Sequence, residues 1–420
     1  MAVKRRSKGG GRVNRLIRRP PVPAAESGSS EDCSSSDSDE GNVCEDEYDM
    51  SVYRLLLRAQ TGFPCLSFDF PHGPKFAVPS VSEPFSVYLF AGTQSGLPNH
   101  NKLLVMRLSD LSFRPESEEG TNTASATRAD FDHVSIIHEG CTNRLRSSRC
   151  SENGELVATW SESGKVLIWD VEQPLAMLRM EDSVRTRTQL NNTLVYVDQP
   201  PGPKTEGFAL DWAPNSPFLL TGNCGGLMRL LKATDKGFVC ESEFMEETSV
   251  EDIQWSPKEP TVFIACSTSG SISVWDTRSS EKSQIRIQKA HESDVNVLSW
   301  NRCGEPFLIS GGDDGLIKVW DLRVFKTPIG LFDYHKKPIT SVEWHASESS
   351  IFAASSADDQ LTIWDLAVER ADLGNEEDTA PPQMIFNHGG QKNIKEIHWH
   401  DSANGLLVST ALSGIDVIKT

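Results

Sequence analysis

The chain has 420 residues, 38% of them apolar and 24% charged, with a formal net charge of −18. The first 19 residues hold eight Lys or Arg and no acid, so the other 401 carry 33 basic against 59 acidic side chains, a net of −26. A body that acidic is repelled by nucleic acid and drawn to basic proteins, which argues against sequence-specific reading of DNA or RNA; no apolar run of 18 residues exists, which argues against a membrane-spanning helix.

Residues 1–49 pass from KRRSKGGGRVNRLIRRPP to ESGSSEDCSSSDSDEGNVCEDEYD. Neither stretch can bury enough apolar surface to fold alone, so a disordered tail is expected, basic first and then acidic. The basic cluster suits a nuclear or nucleolar address. Ser34, Ser36 and Ser38 lie among carboxylates, where phosphorylation would deepen the negative charge.

SVYRLLLRAQTGFP, residues 51–64, reads as one short helix. Ser51 can cap it, Val52, Leu55, Leu56 and Ala59 recur at helical spacing, and Gly62 and Pro64 stop it. A helix this short is unstable alone, so residues 50–64 are expected to dock on the remaining domain, residues 65–420.

From there the chain repeats. Trp275, Trp320 and Trp364 stand 45 and 44 residues apart, each followed by Asp, and each preceded by 20 residues by another tryptophan: Trp255, Trp300 and Trp344. Trp212 precedes Leu231 and Trp399 precedes Ile418 by 19, and Arg149 precedes Trp169 by 20. A first copy around KLLVMRLSD puts Arg107 in the tryptophan position, which makes seven copies. Within a copy, VNVLSW, FLISGGDDG and LIKVWD alternate with period two, and Asp314-Gly315 and Gly225-Gly226 signal hairpins. The third copy reads as poor in a fourth strand. Four strands per repeat, seven times, predict an all-β, seven-bladed propeller. Copies two and three are separated by 62 residues and copies six and seven by 54, so two segments exceed the repeat: one near residues 180–208, and the acidic tongue LGNEEDTAPPQMIF, residues 373–386.

Nothing marks an enzyme. A Ser, His and Asp set partly recurs from one copy to the next, as structure does and a single catalytic centre does not. No GxSxG elbow or phosphate loop is present, the histidines and cysteines show no metal spacing, and no cofactor is implied. The nine cysteines form no CxxC pair and read as free thiols.

These motifs resemble the WD-repeat family, in which a His, Ser, Asp and Trp network braces each blade; His291, Ser310, Asp314 and Trp320 match it. YRLLLRAQTGFPCLSFDF with a Pro-Pro tongue before the last blade resembles the histone-binding branch, that of the retinoblastoma-binding chaperones. RAQTGFPCLSFDF, DLAVERADLG and KEIHWHDSANGLLVSTALSGI look most like the glutamate-rich WD-repeat proteins, which are ribosome-assembly and histone-binding factors. The resemblance implies a nuclear or nucleolar chaperone, monomeric, for core histones or a large-subunit ribosomal protein, within chromatin or pre-ribosomal complexes. Its site would be a side groove in which Leu56, Leu57 and Phe386 meet the apolar face of a basic helix while Glu376, Glu377 and Asp378 meet its Arg and Lys. A second site over the central channel is implied by Glu206, Glu251 and Asn296; Pro338 and Thr340 depart from that pattern. The endings WDTR (275–278) and WDLR (320–323) also resemble the docking signature of substrate receptors for cullin-type ubiquitin ligases, an alternative of a different class.

Overall fold

The computed structural model describes residues 52–78, 84–97, 99–114, 129–150, 154–180, 185, 188–279, 281–368 and 381–420. Among them the strands form seven four-stranded antiparallel sheets, the blades of a propeller. The innermost strands, one per blade in chain order, are Cys65–Asp69, Thr142–Ser147, Gly207–Trp212, Val250–Trp255, Val295–Trp300, Ile339–Trp344 and Glu396–Trp399.

Seven clusters of buried apolar side chains form the core, and each lies between two successive blades. Trp160, Val166 and Ile168 of blade 2 pack on Leu210, Trp212 and Leu231 of blade 3, and Ile264, Cys266 and Ile272 of blade 4 pack on Leu298, Leu308 and Trp320 of blade 5. The period-two pattern thus buries both faces of each sheet against its neighbours.

The last blade is completed by the beginning of the fold. Leu55–Ala59 is a β-strand that pairs antiparallel with Gly414–Lys419, Leu55 opposite Lys419 and Ala59 opposite Ile415. This overturns the helix expected over residues 51–64. Leu55, Leu57 and Ala59 alternate with period two and face the core between blades 7 and 1, and the free edge of the last sheet offers the ladder bonds that a short isolated helix lacks.

Three other expectations change. The third copy is not poor in a fourth strand: Gly237–Met245 supplies one of nine residues. Ser147, not Arg149, holds the inner tryptophan position of blade 2, since Ser147 pairs with Val157, which pairs with Trp169; Arg149 lies in the following loop. In blade 1 the buried Met106, opposite Leu89, points into the core where Trp169 and its equivalents point, while Arg107 turns outward to Asp132. A fixed sequence offset fails wherever a loop gains residues. The excess near residues 180–208 contains Leu194–Asp198, the outer strand of blade 2, preceded by the short helix Glu172–Met177.

Hydrogen bonds around the channel knit the inner strands together. The side chain just before the inner tryptophan position accepts the backbone N–H at that position in the next blade: Asp69 from Ser147 (2.9 Å), Asp211 from Trp255 (2.8 Å), Gln254 from Trp300 (2.9 Å), Ser299 from Trp344 (3.0 Å) and Glu343 from Trp399 (2.7 Å). Where the last blade meets the first two, Glu396 takes over. Its Oε2 accepts from Ser67 Oγ (2.6 Å) and Phe68 N (2.9 Å), and its Oε1 from Arg144 Nη1 (2.7 Å) and Arg146 Nη2 (2.9 Å).

Burial alone would lower the pKa of the neighbouring His398, but Glu343 and Glu396 outweigh it and push the imidazole up to about 9. The sign follows from the ordinary value of 6.5: His398 contributes stability in full below about pH 6.5, and the contribution disappears as pH rises through about 9. The unfolding midpoint is therefore expected to fall between pH 6.5 and 9, and to fall less steeply in His398→Gln, as thermal scans across that range would record.

Candidate functional site

The seven cysteines among the described residues are free thiols, and no group of His, Cys, Asp and Glu among those residues could hold a metal ion. The chemistry lies in charged and apolar surfaces. The bracing set of blade 5 comes together: His291 Nδ1 donates to Asp314 Oδ1 (2.9 Å), His291 Nε2 lies 2.8 Å from Ser310 Oγ, and Trp320 Nε1 donates to the same hydroxyl (2.9 Å). Gly315 closes the adjoining hairpin at φ 77°, a conformation glycine adopts without strain. In blade 6 the hydroxyl is Thr362, bonded by Trp364 Nε1 (2.7 Å) and 3.0 Å from His335 Nε2. In blade 4 Glu246 replaces the histidine and accepts from Trp275 Nε1 (3.1 Å). Buried, repeated and ending on an indole, these sets brace the hairpins.

Around the strap strand, Leu56 and Leu57 point to opposite faces. Leu56 packs with Phe386 on the core between blades 6 and 7, whereas Leu57 packs on the core between blades 7 and 1. Adjacent strand residues must diverge in this way, so one groove cannot take both. Phe386 lies in the outer strand of blade 6, Met384–His388, with its ring 5.5 Å from that of Tyr53. Tyr53 Oη is 2.8 Å from His388 Nδ1, and Asp416 is 3.3 Å from Arg58 and 3.4 Å from the other nitrogen of His388. Sequence reasoning missed Tyr53, His388 and Asp416; the alternation Leu55, Leu57, Ala59 was the available signal for the strand that places Tyr53 beside them. Glu376, Glu377 and Asp378 lie outside the described residues, as do residues 1–49 with their serines.

The second set lies at the mouth where the inner strands begin. In blades 1 to 6 the innermost strand has a bulge near its start, at Leu66, Asn143, Phe208, Glu251, Asn296 and Thr340. Such bulges re-aim side chains. Glu251 and Asn296 therefore occupy equivalent positions, while Glu206 stands two residues ahead of its blade's bulge and reaches the equivalent Asn143, whose Nδ2 donates to it (3.1 Å). Asn296 Nδ2 donates to Asp313 (2.9 Å) and to the Ile339 carbonyl of the next blade (3.0 Å). Burial raises the pKa of Glu251; the Ser249 hydroxyl opposes the rise, and the charges of Asp294 and Asp313 add to it. Asp294 is raised for the same reasons, burial and then Asp313. The carboxylate of Glu251 in blade 4 thus sits among those of Asp294 and Asp313 in blade 5, and a cation placed among them relieves the repulsion.

Comparison with known proteins bears on both surfaces. The family of the histone-binding protein RBBP4 and its counterpart in the CAF1 complex matches residues 45–112, and the family described as “WD domain, G-beta repeat” matches residues 238–276, 282–321 and 326–365. Ribosome assembly protein rrb1 of Schizosaccharomyces pombe is 38% identical over 394 residues, 89% of this chain and 81% of the relative. Protein HEAT STRESS TOLERANT DWD 1 of Arabidopsis thaliana is 35% identical, covering 88% of this chain and 87% of the relative. Glutamate-rich WD repeat-containing protein 1 of Dictyostelium discoideum is 35% identical, covering 89% and 81%.

Proposed function

The chain belongs to the family of ribosome-assembly and glutamate-rich WD-repeat proteins, and on that premise we propose that it is a non-catalytic chaperone of the nucleus and nucleolus that shields a basic client, a core histone or a large-subunit ribosomal protein. The observation that carries this reading is the acidic mouth of the channel, where Glu206, Glu251, Asp294 and Asp313 gather on a stretch, residues 50–420, that carries 33 basic against 49 acidic side chains, a net of −16. Its mechanism is screening: Lys and Arg that would otherwise grip nucleic acid are occupied by carboxylates until the client is delivered. The family match over residues 45–112 and the contact of Tyr53 with Phe386 support a second contact at the side, to which the acids 376–378 would add charge.

The test is binding of residues 50–420 to a histone tetramer and to large-subunit ribosomal proteins across a salt series. Glu251→Gln with Asp313→Asn is expected to weaken binding about tenfold and to flatten the salt dependence, as is neutralising Glu376, Glu377 and Asp378. Binding that ignores salt and all five substitutions overturns the reading.

A second reading rests on one observation. Asp276 holds Arg278 through Nε (2.9 Å) and Nη2, Asp321 holds Arg323 in the same way (3.0 and 2.7 Å), and both guanidiniums stay more than two-thirds exposed. Two fixed forks at the ends of consecutive blades suit docking to a ubiquitin-ligase adaptor. Recovery of ligase scaffolds alone in an affinity capture, lost in Arg278→Ala with Arg323→Ala, would favour it over the chaperone.

A further inference from the structure

The opposite mouth of the channel, where the inner strands end, gathers arginines as well as carboxylates. Arg149 of blade 2 and Arg302 of blade 5 enter one unfilled space, which His72, Asp211, Glu343 and Asp401 also line. The deeper arginines, Arg144 and Arg146, are engaged by Glu396. These two are not engaged in that way. Arg149 makes no hydrogen bond or ion pair among the described residues, and the closest carboxylate oxygen to Arg302 is Asp401 Oδ1, at 4.0 Å. Each of the two nearby aspartates has one oxygen engaged: Asp401 Oδ2 is 2.8 Å from His72 Nδ1, and Asp211 Oδ2 accepts from Trp255 N. His72 Nε2 is buried, 3.8 Å from Asp69, and has no hydrogen-bond partner among the described residues. Burial lowers the pKa of Arg302, and the charge of Arg149 lowers it further. Two guanidiniums with five N–H donors each therefore share one space in which, among the described residues, no carboxylate oxygen lies closer than 4.0 Å to either.

We propose that this mouth is a binding site for a phosphate oxyanion, held between Arg149 and Arg302, with His72 Nε2 as a third donor when both ring nitrogens carry a proton. The two forks come from blades three apart in the ring and the imidazole from a third direction. A tetrahedral acceptor can meet all three, whereas a carboxylate offers two oxygens in one plane. The group is either free phosphate or a phosphoryl group on a side chain. The site lies at the other end of the channel from the carboxylates proposed to hold the client, so the two functions separate by mutation.

The test is calorimetric titration of the full chain, at matched ionic strength, with inorganic phosphate, phosphoserine and citrate. Phosphate or phosphoserine is expected to bind, and Arg149→Gln and Arg302→Gln are each expected to weaken that binding about tenfold or more, leaving basic-client binding unchanged. The tighter of the two phosphate probes identifies the source. Arg149→Gln breaks no bond of the fold, so its result stands even where Arg302→Gln is unstable; line broadening of the phosphate phosphorus resonance by the unmodified chain gives a second readout. Citrate binding as well as either phosphate probe, no binding of either, or undiminished phosphate binding in Arg149→Gln overturns the proposal.

Discussion

Glu396→Ala is expected to reduce the unfolding free energy by about 3–5 kcal/mol, because the largely buried Arg144 and Arg146 lose the carboxylate that, among the described residues, is the only one within 4.0 Å of them. The carboxylate is 1% exposed and gathers donors from three blades: Ser67 and Phe68 of the first, Arg144 and Arg146 of the second, and His398 at 3.6 Å in its own. Burial alone would raise its pKa, but Arg146, Arg144 and His398 prevail and hold it well below the usual carboxylate range. Glu396 thus contributes stability above its unfolded value near 4.5, and that contribution is lost as pH falls toward the depressed folded value. Glu396→Gln keeps the shape and removes the charge, so it should lose nearly as much at pH 7 and little in strong acid. Urea titrations at both pH values check this; a loss under about 1 kcal/mol at pH 7, the range of a surface ion pair, would show that the network is not what holds the ends of the ring together.

Deleting residues 1–60 is expected to have a comparable effect by a different route. It removes the five-residue ladder from Leu55 to Ala59 and withdraws Tyr53 and Leu55, 5% and 3% exposed, from two inter-blade cores. At about 1.5–3 kcal/mol for each large apolar side chain, plus the ladder bonds, the loss is on the order of 5 kcal/mol. Limited proteolysis should then open the last blade first, and a synthetic peptide spanning residues 50–62 should restore protection. A truncated chain as resistant as the whole would mean that the last blade is held shut without the strap.

The repeat and its four-stranded unit were legible because a tryptophan in a strand is a large and periodic signal, and seven blades follow from counting. The strap was not, since LLLRA contains matches to both periods and the deciding fact, an unpaired edge about 360 residues away, is tertiary. The register of blades 1 and 2 was lost for a local reason: loop residues shift a count made along the chain but leave the ladder unchanged, so Ser147 and Met106 carry no mark of their role. Glu251 and Asn296 were singled out by their match to the histone-binding branch, but the bulge that makes them equivalent, and Asp294 and Asp313 beside them, belong to hairpins that sequence spacing does not orient. Arg149 and Arg302 were invisible as a pair, because only the closed ring brings loops from blades 2 and 5 into one space.

The pairing of Leu55–Ala59 with Gly414–Lys419 also has a temporal meaning. Synthesis delivers the first partner long before the second, so during nearly the whole of translation six blades can stack while the seventh has no closing strand. Until then Leu55 and its neighbours are an unshielded sticky segment, following soon in sequence after the acidic stretch of residues 26–49. A premature stop that removed only the final seven residues, Gly414 to Thr420, would leave every other blade intact and still produce a molecule unable to latch, open to proteases and to pairing with another copy of itself.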